Sequence, residues 1–247
     1  MVPLVEHLSP GETFDVAIMF SMTDQWHIYW QNPGDAGLAT QFTWQLPPGF
    51  ALVEQREPVP VRHNDDGIIT FIHEAEAIYL FSILAPDDVN QVNTFSVEID
   101  WLECKSICKA GANQASFILE KGHGSSSQDN AWKTIKHRAQ IKFPSPHQKT
   151  QGRVSKNKDR VEYRFKKLRD DGMKLLSADF FPYEELLYNY ATPIRIKTGF
   201  RNTSIIIPLL DYREKDPDAL HGVLVQTFQT PTGLVTKQTI INKPLQP

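Results

Sequence analysis

Val97-Glu98-Ile99-Asp100-Trp101-Leu102-Glu103-Cys104-Lys105-Ser106-Ile107-Cys108 is the stretch that decides both the fold class and the chemistry of this chain. Val97, Ile99 and Trp101 alternate with Glu98, Asp100 and Leu102, the period-two pattern of a strand with one face buried. Cys104 therefore sits at or just past the end of a strand, and three intervening residues are enough for a turn before Cys108. A turn or hairpin end brings two such residues within the Cα separation of roughly 4.4 to 6.8 Å that a disulfide requires. The chain holds 2 cysteines in all, and both are here.

The same period runs outward in both directions. Phe14, Val16, Ile18 and Phe20 share one face of an extended segment, and Trp26 to Trp30 is an aromatic strand stopped by the turn-rich Gln31-Asn32-Pro33-Gly34-Asp35-Ala36-Gly37. Phe42 and Trp44 alternate next, followed by extended segments at 51–53, 59–61, 68–72, 78–84, 92–102 and 115–119, with breaks at Asn64-Asp65-Asp66-Gly67 and Ala85-Pro86-Asp87-Asp88. Short strands at regular turn spacing predict a β-sandwich. Trp132, Ile135 and Ala139 carry helical spacing, so 128–140 reads as one amphipathic helix ended by Phe143-Pro144-Ser145-Pro146.

Between Gln151 and Asp170 the chain turns basic, which marks a solvated linker with an exposed strand near Val161 to Phe165, or a patch for an acidic partner or anionic membrane surface. Extended segments at 175–181, 193–197, 204–210, 220–229 and 234–241 then predict a second small β-sandwich.

With 247 residues, 40% apolar and 22% charged, the chain has the composition of a folded protein and the length for two domains. A formal net charge of -3 gives no global basic field, so nucleic acid is not expected as a partner. No window approaches the run of about 20 apolar residues that a membrane span needs, so membrane insertion of this chain is not expected. The start, Met1-Val2-Pro3-Leu4-Val5-Glu6-His7, lacks the basic and apolar regions of a secretion signal, which fits a cytosolic protein or a chain that begins after a removed signal.

The cysteine pair is open to four uses on the residues alone. The two thiols are reduced and inert, or they are half of a zinc site with His73 and His123 as possible further ligands, or they form a small structural disulfide, or they cycle between dithiol and disulfide. Closing so short a loop removes little unfolded-state entropy, which favours reversible use over a staple. Lys105 and Lys109 flank the pair, and a nearby ammonium favours the thiolate that attacks disulfides. No zinc spacing is completed, and no Gly-x-Ser-x-Gly, phosphate-cradling glycine loop or His-Glu-x-x-His is present, so neither a cofactor nor a metal is expected. His27 and the cluster Trp26, Tyr29, Trp30 and Trp44 read as packed strand residues.

Trp26-His27-Ile28-Tyr29-Trp30-Gln31-Asn32-Pro33-Gly34-Asp35-Ala36-Gly37-Leu38, followed about 65 residues later by Trp101 to Cys108, resembles the periplasmic N-terminal domain of the DsbD/ScsB thiol:disulfide reductases. The resemblance covers residues 10–145, and the remainder looks like the second immunoglobulin-like domain of the longer ScsB-type arm. It implies an all-β protein of two immunoglobulin-like β-sandwich domains joined by a helix-containing linker, with bounds at 1–125, 126–150 and 151–247. It implies a periplasmic location and a dithiol–disulfide exchange arm, with Cys104 and Cys108 as the catalytic pair. That arm passes reducing equivalents from a transmembrane reductase domain, in the same or another chain, to oxidised thioredoxin-fold partners. In such domains an aromatic cap loop covers the disulfide, which points to the loop between His63 and Glu74 with Phe71 as the candidate. In the related domains the second cysteine usually takes the mixed disulfide, so the resemblance implies Cys108 for that role. The sequence departs from the family after Cys108, where Lys109-Ala110-Gly111 replaces an Ile-Pro or similar apolar pair. The competing expectation is a non-catalytic protein-binding β-sandwich module with a structural or vestigial cysteine pair.

Overall fold

A computed structural model describes residues 1–122, 133–135, 137–138, 143–145, 152–166 and 173–245. In the first half, strands form at β1 (Val2–Pro3), β2 (His7–Leu8), β3 (Thr13–Ser21), β4 (His27–Gly34), β5 (Gln41–Gln45), β6 (Ala51–Arg56), β7 (Val61–Asp65), β8 (Ile68–Glu74), β9 (Glu76–Leu84), β10 (Val92–Cys104) and β11 (Cys108–Lys121). In the second half they form at β12 (Gly152–Asn157), β13 (Arg160–Lys166), β14 (Lys174–Pro182), β15 (Arg195–Thr198), β16 (Asn202–Pro208), β17 (Ala219–Thr230) and β18 (Gly233–Pro244). The protein is all-β with immunoglobulin-like sandwiches, and its helical part is minor.

The chain divides into two compact units. The first comprises Met1–Trp30, Gly37–Val61 and Ile72–Phe143, and the second comprises Gln31–Ala36, Arg62–Phe71 and Pro144–Pro247. Two short excursions of the N-terminal half, the end of β4 with its turn and the β7–β8 hairpin, thus count with the second unit.

In the first unit one sheet runs β1-β3-β9-β6, and the other carries β2-β11-β10-β4 with β5 also paired to β10. Alternation explains which face each strand buries. Ile18, Tyr79, Phe81, Val97 and Ile99 share one apolar cluster between the sheets, and Phe14, Ile83, Phe95 and Leu119 share the next. Strand β9 departs from simple alternation because Ile78 and Leu80 are buried on its other face as well. They pack with Leu4 and Ala17, and Ile135 and Phe143 lie against them. Residues 133–135 and 137–138 are helical, so the part of the predicted 128–140 helix that is described covers this outer face; Trp132 and Ala139 lie outside the described residues.

In the second unit the sheets are β12-β13-β16-β15 and β14-β17-β18. Over 152–166 the basic stretch holds the strand expected near Val161 to Phe165 but no linker. It is the β12–β13 hairpin, with Val154, Val161 and Tyr163 buried and its cations on the outside, where Lys156 pairs with Asp216 and Arg164 with Glu162. Interleaved small and polar residues hid the alternation that a buried Val-x6-Val-x-Tyr pattern carries.

Candidate functional site

Strand β10 pairs with β11 in one unbroken antiparallel register from Val92↔Glu120 to Cys104↔Cys108. The predicted strand at 115–119 therefore begins seven residues earlier, because Lys109 to Gln114 are small or polar and carry no apolar alternation of their own. Lys105, Ser106 and Ile107 form the hairpin loop, in which the Lys105 N–H donates to the Ile107 carbonyl at 3.0 Å. Cys104 and Cys108 face each other across the last pair, with Cα atoms 4.1 Å apart, and their sulfurs are bonded at 2.04 Å. Such a separation belongs to a non-hydrogen-bonded antiparallel pair, where side chains of neighbouring strands come closest.

The two halves of this disulfide have opposite surroundings. Cys104 is 4% exposed and clusters with Tyr29 and Ile72, with Leu102 against them. On its other flank Cys104 pairs with His27 of β4, whose imidazole is buried edge-on to the Tyr29 ring at 5.4 Å. Cys108 is exposed at the tip. The lysines that flank the pair are held by the loop before β4: the Lys105 ammonium reaches the Asp24 carbonyl at 3.5 Å, and Lys109 lies over the Trp26 ring at 5.1 Å.

The aromatic motif acquires a physical role at each position. Ile28 enters the sandwich core, while His27 and Tyr29 sit beside Cys104. Gly37 has φ +108, and a Cβ there would lie 2.2 Å from Tyr29 Cε1, so a glycine is what lets the ring settle. Burial pushes the Tyr29 hydroxyl above its ordinary pKa. Gly34, φ +91, lies against the Ile69 carbonyl, where a Cβ would come within 2.4 Å. Contrary to the expected turn at Gln31, β4 continues to Gly34.

Within the second unit, fully buried Asn32 donates from Nδ2 to the Pro182 carbonyl at 2.8 Å, the Glu184 carbonyl at 3.1 Å and the Tyr190 hydroxyl at 3.2 Å. Its Oδ1 accepts from the Gly34 N–H at 3.0 Å. Phe71 is fully buried, with its ring edge-on to Phe181 at 5.1 Å and Tyr190 at 4.9 Å, and the Arg62 guanidinium lies over it. Arg62 is itself fixed by a two-pronged pair with Asp179 at 3.0 and 2.6 Å. Of the 63–74 segment it is Ile72, on the opposite face of β8 from Phe71, that packs with Cys104. The long-range bonds of Asn32, Arg62 and Tyr190 carry no local sequence signal, because the partners in them lie more than 100 positions away. His73 is buried with Nε2 4.0 Å from Glu57, and His123 lies outside the described residues. Among the described residues no three His, Cys, Asp or Glu side chains gather as metal ligands would.

Fold and site together define an all-β protein whose immunoglobulin-like sandwich carries one short-range disulfide at a hairpin tip, half buried and half exposed. Residues 4–120 match the family model described as thiol:disulfide interchange protein DsbD, N-terminal. The crystal structure of the N-terminal periplasmic domain of ScsB from Proteus mirabilis has the same fold, with a TM-score of 0.63 at 14% identity over 96% of this chain and 90% of that one. The Pseudomonas aeruginosa CupB2 chaperone aligns over 94% of this chain and 93% of its own at 10% identity, but its TM-score of 0.25 carries no weight. No curated protein matches this chain. Among the described residues no helix is long and apolar enough to cross a membrane.

Proposed function

We propose that this chain is a periplasmic dithiol–disulfide exchange arm. It takes reducing equivalents from a transmembrane reductase domain, in the same or another chain, and delivers them to oxidised thioredoxin-fold proteins. The observation that carries this proposal is the Cys104–Cys108 disulfide, closed by a three-residue loop with one half buried and the other exposed, in a DsbD N-terminal-type domain. A structural staple gains most from a long loop, and this one spans a sequence separation of 4. The organisation that goes with this function is a redox domain at 1–125, a connecting helix and linker at 126–150, and a second sandwich at 151–247.

The chemistry balances as two successive exchanges. A thiolate of the donor dithiol attacks Cys108 Sγ, the S–S bond breaks, and its electron pair leaves on Cys104 Sγ, which takes up a proton. The donor's second thiolate then attacks its own sulfur in the mixed disulfide and releases Cys108 as a thiolate. The donor ends oxidised by two electrons, and the arm ends as a dithiol. Cys108 then attacks the client disulfide, and Cys104 resolves that mixed disulfide by the reverse steps. Exposure of Cys108 and burial of Cys104 supply the order of attack, because exchange needs in-line access to the sulfur. Tyr29, Ile72 and Leu102 deny that access at Cys104. We assign to Phe71 the task of holding the covering segment, through its packing on Phe181 and Tyr190.

Incubating the oxidised protein with a reduced thioredoxin and counting free thiols tests the proposal. Two new thiols per arm are expected. Failure of both thioredoxin and dithiothreitol to open the disulfide sinks it.

A further inference from the structure

We infer that the open edge of β11 next to the disulfide, Cys108 to Ala112, receives an extended segment of the dithiol protein partner as an added antiparallel strand. This rests on the exchange function proposed above and concerns how the partner is held while it attacks.

Strand β11 has β10 on one side along its whole length. Among the described residues its other side is paired only at the far end, where Glu120 and Lys121 meet β2. The direction of the free main-chain groups follows from that end. Lys121 N–H donates inward to the Gln91 carbonyl, at the position that continues the β10 register, and Gly122 N–H donates outward to the Leu8 carbonyl. Alternation without a break in register then aims the N–H and C=O of Cys108, Ala110 and Ala112 at the open edge. Further along, the Gln114 N–H is already taken by the Asn113 side-chain oxygen at 2.9 Å. Open N–H donors adjoining the disulfide thus end at Ala112.

Edge strands are normally guarded by charge, proline or a bulge. From Ala110 to Leu119 this strand has no charged residue and no proline, and its pairing with β10 shows no bulge. Cys108, Lys109, Ala110 and Ala112 are exposed. The unguarded run begins two residues past the exposed half of the disulfide, after Lys109, whose ammonium is drawn over the Trp26 ring.

The occupant follows from the direction of attack. The disulfide joins residues on neighbouring strands, so its bond runs from β10 toward β11. A nucleophile in line with that bond reaches Cys108 Sγ from the side away from Cys104, across the open edge. Attack at Cys104 Sγ would have to come from the β4 side, where His27 is paired and Tyr29 and Ile72 are packed. A mixed disulfide holds two Cα atoms roughly 4.4 to 6.8 Å apart, and neighbouring strands lie about 4.7 to 4.9 Å apart. The residues flanking the partner's attacking cysteine therefore meet the N–H and C=O of Ala110 and Ala112 at strand spacing, and main-chain bonds there add affinity independent of side-chain identity.

The test uses two measurements. First, a mixed disulfide is trapped between the Cys104→Ser protein and a thioredoxin retaining only its attacking cysteine, and amide hydrogen exchange is followed. Ala110 and Ala112 are expected to exchange at least about ten-fold more slowly in the complex than in the free protein, as one or two new main-chain bonds would give. Second, Ala112→Pro removes an outward donor at an edge position where proline leaves the β10 ladder intact. Its reduction by thioredoxin is expected to slow about ten-fold, with reduction by dithiothreitol within about two-fold of the parent. A trapped complex whose two amides exchange as in the free protein overturns the docking inference alone. So does a proline variant that thioredoxin reduces at the parental rate, and so does protection of the edge in the free protein that grows with its concentration, which would mark a second copy as the occupant. A parent protein that neither reagent reduces overturns the exchange function, and the docking with it.

Discussion

Gly37→Ala joins the aromatic motif to the disulfide and can be worked through quantitatively. Gly37 sits at φ +108, and an added Cβ would fall 2.2 Å from Tyr29 Cε1 and 2.3 Å from Cδ1, well inside van der Waals contact. Two costs follow. The left-handed backbone costs an alanine about 1–2 kcal/mol. The ring must also leave its packed position, and exposing a large apolar side chain costs about 1.5–3 kcal/mol more. The expected loss is about 2.5–5 kcal/mol, a large part of the stability of a small domain. Gly67→Ala is the control, since Gly67 has φ +95 with nothing within 4 Å of the added atom, so only the backbone cost of about 1–2 kcal/mol applies. All 5 tryptophans lie between positions 26 and 132, so urea unfolding is followed by their fluorescence for the half that holds the disulfide and by circular dichroism for the whole chain, because Gly67 counts with the second unit. Displacing Tyr29 also uncovers Cys104, so dithiothreitol should open the disulfide faster in Gly37→Ala and at the parental rate in Gly67→Ala. Equal destabilisation by the two alanines, within about 0.5 kcal/mol, would refute the claim that the glycine exists to seat the ring.

Three further outcomes are expected. In single-cysteine proteins, Cys108 of Cys104→Ser should react with a thiol reagent at least about ten-fold faster than Cys104 of Cys108→Ser, because reactivity follows access to the thiolate; equal rates would remove the assigned order of attack. Asn32→Ala strips the Pro182 and Glu184 carbonyls and the Tyr190 hydroxyl of a buried donor, and should cost about 2–4 kcal/mol in thermal unfolding followed by circular dichroism. Burial raises the hydroxyl pKa of Tyr29, Tyr79, Tyr188 and Tyr190 above the ordinary 10.0, so the folded state keeps protons that the unfolded state loses. Their contribution to stability is complete below about pH 10 and is lost as pH rises above it. An ultraviolet titration should show these four hydroxyls ionising at higher pH in the folded protein than in the urea-unfolded chain.

Much of the architecture is local and therefore legible along the chain. Alternation at Phe14 to Phe20 and at Val97 to Trp101 marks strands whose one face meets a core, and the turn residues between them mark where they reverse. Strand β11 was half hidden, because Lys109 to Gln114 are held in place by register with β10 and not by any pattern of their own. Strand β13 was legible near Val161 to Phe165, but β12 and the burial of Val154, Val161 and Tyr163 were hidden by the charges among them.

The same division holds at the disulfide. The sequence by itself determined that two thiols lie four positions apart at the end of a strand, and that an aromatic motif stands about 65 residues before them. Only the tertiary structure decided that Cys104 faces Tyr29 and Ile72 while Cys108 faces outward. It also decided that Asn32 is spent on carbonyls at positions 182 and 184, and that the edge beside Cys108 has no paired strand among the described residues. The reason is physical. Periodicity records which face of a strand is buried, but burial of one sulfur against the exposure of its partner depends on strands from distant parts of the chain, and no local pattern encodes which of them lies beside it.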